Sequence, residues 1–206
     1  MSEKPINIED ITLPFDSTIG VNDTFFADLL KEDDWSFIIK LHALIESVCT
    51  HLLLYHFKEP KLSDVISRLD LSGQTTGKII FLEKLGFLGK ENRRFIVSLS
   101  ELRNDLVHNI HKCEFDLDKT VQSFDSKTLR EFAISFSPKE AFFRRIENNP
   151  KGKLKINADT STRSRVDLVI KRAKKDPKLH IWFGAFYVLS SLLDMYMFSD
   201  YKQGQM

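Results

Sequence analysis

Between Asp34 and Phe57, the residues Ile38, Leu41, Ile45, Val48 and Leu52 recur at alternating spacings of three and four. That period is one face of an α-helix, whereas a strand would alternate at every second position. Phe37, Leu44 and Leu53 widen the stripe, which predicts a helix central to the core. Pro60 stops it. The rest of the chain favours the same kind of element. Among 206 residues there are 8 Gly and 6 Pro but 17 Phe, so breakers are scarce and large apolar side chains plentiful.

Further helical patterns follow. Leu62, Val65, Ile66 and Leu69 predict a short helix, and Ser72-Gly73 a turn. Ile79, Ile80, Leu82 and Leu85 predict a helix over 76–85, with Gly86 as its cap. Residues 87–94 read as a connection with a polar tip, and a fourth helix is predicted over 95–112. Residues 115–136 carry a weaker pattern, a loop and a short helix. Ser137-Pro138-Lys139-Glu140 has the form of a capping box, opening a helix that ends near Asn149-Pro150; residues 151–162 read as a polar loop. A last helical region begins near Ser164, is kinked or restarted at Asp176-Pro177, and ends near Phe198. The expected fold is all-α, an antiparallel helical bundle over residues 34–206, preceded by an acidic arm over residues 1–33.

The formal net charge is +1, so nothing global calls for nucleic acid or membrane. The distribution is uneven. The arm is acidic, with Glu3, Glu9, Asp10, Asp16, Asp23, Asp28, Glu32, Asp33 and Asp34 against Lys4 and Lys31. Residues 139–178 are basic, with Lys171, Arg172, Lys174, Lys175 and Lys178 at the end of the run. That run reads either as a phosphate-binding surface or as a solvated face that offsets the arm. Cys49 and Cys113 lack the spacing of a zinc site or a disulfide framework. The polar, acidic start does not resemble a signal peptide. The charges near both ends of the apolar stretch 179–198 favour a buried helix over a membrane span. A cytoplasmic protein with no cofactor, no bound metal and no membrane partner is expected. GxSxG, GxxxxGK[ST] and GxGxxG are all absent from the sequence.

On the fourth helix, Leu99, Leu102, Leu106 and Ile110 share one face. Asn104, His108 and His111, spaced four and three apart, share the opposite one. Arg103 lies at the edge of the apolar stripe, with a side chain long enough to curl toward His108. A guanidinium is a fixed cation matched to phosphate. An imidazole exchanges a proton near neutral pH, and an amide can hold a hydroxyl or a phosphate oxygen. Together such groups can position RNA, take the proton of a 2′-hydroxyl and stabilise charge on the phosphate. The same residue types are common on solvated helix faces, and on chemistry alone that reading is the stronger one.

The segment Leu99-Ser100-Glu101-Leu102-Arg103-Asn104-Asp105-Leu106-Val107-His108-Asn109 resembles the signature helix of the HEPN superfamily, in which Arg is followed after four to six residues by His. The preceding pattern is also similar to that family's: a long apolar helix carrying Ala43 and Glu46, then Gly77-Lys78-Ile79-Ile80-Phe81-Leu82-Glu83-Lys84-Leu85-Gly86. The order resembles the branch that includes the mannitol operon repressor type. The resemblance spans residues 34–115. It implies a homodimer whose two motifs meet in one cleft, and a metal-independent RNase of toxin–antitoxin, phage-defence or RNA-processing type. Arg103, Asn104 and His108 would be its catalytic residues. RNA would be its substrate, and an antitoxin or regulatory protein a possible partner. Residues beyond Phe115, including the basic extension, exceed the minimal bundle.

Two other readings compete. Residues 62–85 can be taken as a helix-turn-helix of a DNA-binding regulator, with Gln74, Thr75, Thr76 and Lys78 as polar readers and residues 86–97 as a two-stranded wing. Alternatively, the chain is a non-catalytic dimeric scaffold.

Overall fold

The computed structural model describes residue 22 and residues 24–137 and 162–203, and every regular element among them is helical. The chain is all-α. In order, the α-helices are α1 (Phe25–Asp28), α2 (Asp34–Phe57), α3 (Ser63–Arg68), α4 (Lys78–Lys84), α5 (Lys90–His108), α6 (Leu117–Gln122), α7 (Ser126–Ser135), α8 (Thr162–Lys175) and α9 (Pro177–Gln203). The capping-box helix and polar loop expected over 137–162 lie almost wholly outside the described residues, as does most of the acidic arm.

Helix α2 starts where Asp33 accepts the Ser36 N–H at 2.9 Å, which satisfies one of the donors a helix start leaves free. It closes on Lys58, in the left-handed region with φ 51°. Glu59 is then extended, as the residue before a proline prefers. Its stripe is buried as the spacing predicts: Phe37, Ile38, Leu41, Leu44, Ile45, Val48, Leu52 and Leu53 all lie in the core. By length and composition α2 is apolar enough to cross a membrane; here it is the central core helix.

Three cross-contacts fix its orientation against α5. His56 meets Phe87 just ahead of α5, with ring centroids 5.0 Å apart. His42 meets Ser100, and Asp34 accepts the Leu117 N–H, beyond the end of α5, at 2.8 Å. The two helices therefore run antiparallel. Helix α9 runs alongside α2 in the same direction as α2. Lys178, at its start, pairs with Asp34 at 3.1 Å, and Ser191, further along, accepts from Asn92 near the start of α5 at 3.0 Å.

Aromatic rings fill the seam at α9. Trp182 is fully buried, stacks on Phe26 at 4.5 Å and donates its indole N–H to the Phe26 carbonyl at 2.8 Å. Phe26 and Leu29 belong to the core, so the core begins inside the segment 1–33 that the charge pattern marks as an arm. His180, 2% exposed, donates to the Ala133 carbonyl at 2.9 Å. Burial pushes its imidazole down to about 4, with the charge of Arg172 acting the same way and the bond to Ala133 opposing.

Several boundaries differ from the sequence expectation, each for a local reason. Helix α5 starts at Lys90, not near Phe95, because the polar residues of the expected loop tip have partners: Asn92 on Ser191 and Arg93 with Glu83 at 3.3 Å. Residues 115–136 hold two helices, each opened by an aspartate. Asp116 accepts from the Lys119 N–H at 2.8 Å and Asp125 from the Thr128 N–H at 2.7 Å. Gly86 caps α4 as expected, at φ 77°. Its N–H donates to the Glu83 carbonyl and that of Phe87 to Leu82, the paired bonds of a left-handed helix stop. Asp176-Pro177 restarts the chain as a new helix, with Asp176 accepting the Leu179 N–H at 2.9 Å.

The region read as a helix-turn-helix departs from that reading. α3 and α4 are separated by nine residues, 69–77, against the three or four of such a turn. Residues 90–97 of the supposed wing belong to α5.

Candidate functional site

The stretch Arg103 to His108 forms the last turn and a half of α5. Its end is fastened by its own side chains. Asn109 donates to the Asp105 carbonyl at 2.8 Å and to the Asp105 carboxylate at 3.1 Å, satisfying one of the acceptors a helix end leaves free. Lys112, in the 3-10 turn Ile110–Lys112, closes an ion pair onto the same carboxylate. Asp105 is thus occupied in holding the terminus, and His108 is the last helical residue. His111 falls in the 3-10 turn, so the α-helical spacing that put it on one face with Asn104 and His108 does not extend to it.

Arg103 and Asn104 are together: the guanidinium donates from Nη1 to Asn104 Oδ1 at 3.0 Å. Asn104 and His108 are exposed, and Arg103 is half-buried. Arg103 and His108 are not brought together. A step of five positions along the helix sets them about 140° apart around the axis, and among the described residues Arg103 bonds only to Asn104 and His108 to none. Arg103 instead shares its face of α5 with Ser100 and Ile96, both buried, and its charge is felt by His42 of α2.

Behind it lies a polar cluster that the motif does not contain. Lys78, 1% exposed, pairs through Nζ with Glu46 Oε1 at 2.7 Å. The other oxygen of Glu46 lies 3.9 Å from His42 Nδ1. His42 Nε2 meets Ser100 Oγ at 3.1 Å, and Ser100 donates to the Ile96 carbonyl at 2.8 Å. Burial pushes the His42 imidazole down; Glu46 pulls it up, and the charges of Arg103 and Lys78 push it down further. His42 is therefore a neutral group ringed by one carboxylate and two cations.

Sequence reasoning missed His42 and Ser100 altogether. The available signal was the His42/Glu46 pair at i, i+4 beside the apolar stripe of α2. It also misplaced Lys78, read as a DNA-facing residue; the side chain is buried on Glu46 and presents nothing to a duplex. Gln74, Thr75 and Thr76 are exposed, but on the loop before α4.

Elsewhere, Lys171, Lys174 and Lys175 are exposed on α8, at spacings that put them on neighbouring positions of one face. Val107, within the motif stretch, is 42% exposed. Cys49 is fully buried, its thiol pushed up to about 12 mainly by burial, while Cys113 is exposed. Among the described residues no group of three His, Cys, Asp or Glu is placed to hold a metal ion. No family model, curated protein or solved structure matches the chain.

Proposed function

We propose that the protein is a metal-independent endoribonuclease of HEPN type that acts as a homodimer, with Arg103, Asn104 and His108 as its working residues. The observation that carries the reading is the end of α5: a guanidinium already paired with an amide, and an exposed, unengaged imidazole on the same tethered helix terminus. In the reaction the 2′-hydroxyl oxygen of RNA attacks the adjacent phosphorus. His108 accepts the hydroxyl proton, Arg103 and Asn104 face the charge gathering on the phosphate oxygens, and the bond to the 5′-oxygen breaks. The departing oxygen takes up a proton from imidazolium or water. The products are a 2′,3′-cyclic phosphate and a 5′-hydroxyl.

The separation of Arg103 and His108 around the helix favours pairing Arg103 of one copy with His108 of another. Exposed Val107 offers apolar surface for that contact, and the α8 lysines offer charge for the RNA backbone. The test is cleavage of single-stranded RNA in EDTA, with the cyclic phosphate identified by mass. Wild-type protein is expected to cleave, and His108→Ala to lose at least about a hundredfold in rate, the usual contribution of a general acid–base group. Cleavage that persists in His108→Ala overturns the assignment. Stable dimers with no cleavage by the wild type would favour a scaffold.

A further inference from the structure

We infer that His42, Glu46 and Lys78 are positioning residues for Arg103: a buried chain of polar groups, running from α4 through α2 to α5, that holds the guanidinium in place for an anion. The inference rests on the proposed role of Arg103 and extends it to residues outside the motif.

The first argument is energetic. Lys78 is 1% exposed and ion-paired with the partly exposed Glu46. Such pairs are costly to desolvate, and apolar replacements of both partners are often neutral or stabilising. Fold stability is therefore a poor account of why a lysine and a glutamate are placed there. The second argument is geometric. Ser100 links the cluster to the motif, since its hydroxyl meets His42 Nε2 at 3.1 Å, and Arg103 follows one turn later on the same face. His42 Nδ1 lies 3.9 Å from Glu46, on an imidazole that feels the charge of Arg103. The third is charge. Lys78 and Arg103 are two cations; Glu46 is one anion, and Lys78 already occupies it at 2.7 Å. With His42 neutral the cluster carries a net positive charge, with Arg103 at its edge and half-exposed. A phosphate from outside would complete the balance.

The experiment uses the full chain and reads Arg103 directly. In a 1H–15N NMR spectrum its Nε–Hε signal is assigned by its loss in Arg103→Lys. The variants are His42→Gln, which keeps a donor within reach of Ser100, and the pair Glu46→Leu with Lys78→Met. Both sets are expected to keep their helical circular dichroism. The Arg103 signal should move toward that of a free arginine or broaden, and kcat for RNA cleavage should fall by up to roughly a hundredfold, the order expected when a catalytic group is misplaced, with KM little changed. A merely structural cluster would alter melting temperature and leave the Arg103 signal where it was. An unmoved signal in both variants overturns the inference. If the signal moves but wild-type protein cleaves no RNA, the positioning stands and the nuclease reading falls.

Discussion

The core is joined through two seams of different construction. Between α1 and α9 the contact is built from rings: Phe26 on Trp182 at 4.5 Å, Trp182 near Phe186 at 6.1 Å, with the Trp182 indole N–H satisfied by a carbonyl. Toward α4 and α5, helix α2 offers His42 and Glu46 to Ser100 and Lys78. Both seams are buried, yet they do different things. Apolar burial is non-directional and stabilises in proportion to area. A chain of hydrogen bonds and charges contributes little net stability but admits few arrangements. The aromatic seam holds the fold, and the polar seam sits behind the motif helix, where orientation matters.

That contrast can be broken at three points. Trp182→Ala removes the largest fully buried side chain and should cost about 3–5 kcal/mol, read as a lower urea midpoint. Acid should strike the same side of the molecule. The folded-state imidazole of His180 lies at about 4, below its unfolded value, so the unfolded chain binds the proton first. Its contribution is complete above the unfolded pKa of about 6.5 and is lost as pH falls toward 4. The loss is about 3 kcal/mol, with His42 acting in the same direction. Denaturation at pH 7.5 and pH 4 should show a pH dependence smaller by that amount in His180→Gln. The polar seam should respond least, and asymmetrically. Glu46→Gln strands the buried Lys78 charge and should cost about 2 kcal/mol, less than for a wholly buried pair because Glu46 is partly exposed. Glu46→Leu together with Lys78→Met should be near neutral by the same urea titration. If the double replacement costs as much as Trp182→Ala, the two seams are not different in kind.

Much of this was legible beforehand where one residue decides one local structure. The apolar stripe of α2 is a periodicity, and a periodicity needs no partner to be seen. Gly86 stops α4 because only a residue free to take positive φ fits there. The start of α5 was not legible: Lys90 to Arg94 look like a loop tip until Ser191 and Glu83 arrive from elsewhere in the chain. The short helices α6 and α7 rest on single aspartate caps and carry too few turns for a clear pattern. The site divides the same way. Arg103, Asn104 and His108 stand out as a local motif. Their surroundings do not, because His42, Lys78 and Ser100 come together only through the packing of α2, α4 and α5. Spacing also put Arg103 at the rim of the apolar stripe, within reach of His108, whereas its guanidinium bonds to Asn104 instead.

The proposed nuclease depends on Arg103 and His108 working from different copies of the chain, and subunit mixing addresses that directly. Arg103→Ala and His108→Ala proteins are each assayed for RNA cleavage in EDTA, then mixed, allowed to exchange subunits and assayed again. The proposal predicts that each variant alone is inactive and that the mixture regains roughly a quarter of wild-type activity, the statistical yield of one intact composite site in randomly re-paired dimers. A mixture as inactive as its components, beside an active wild type, would contradict it.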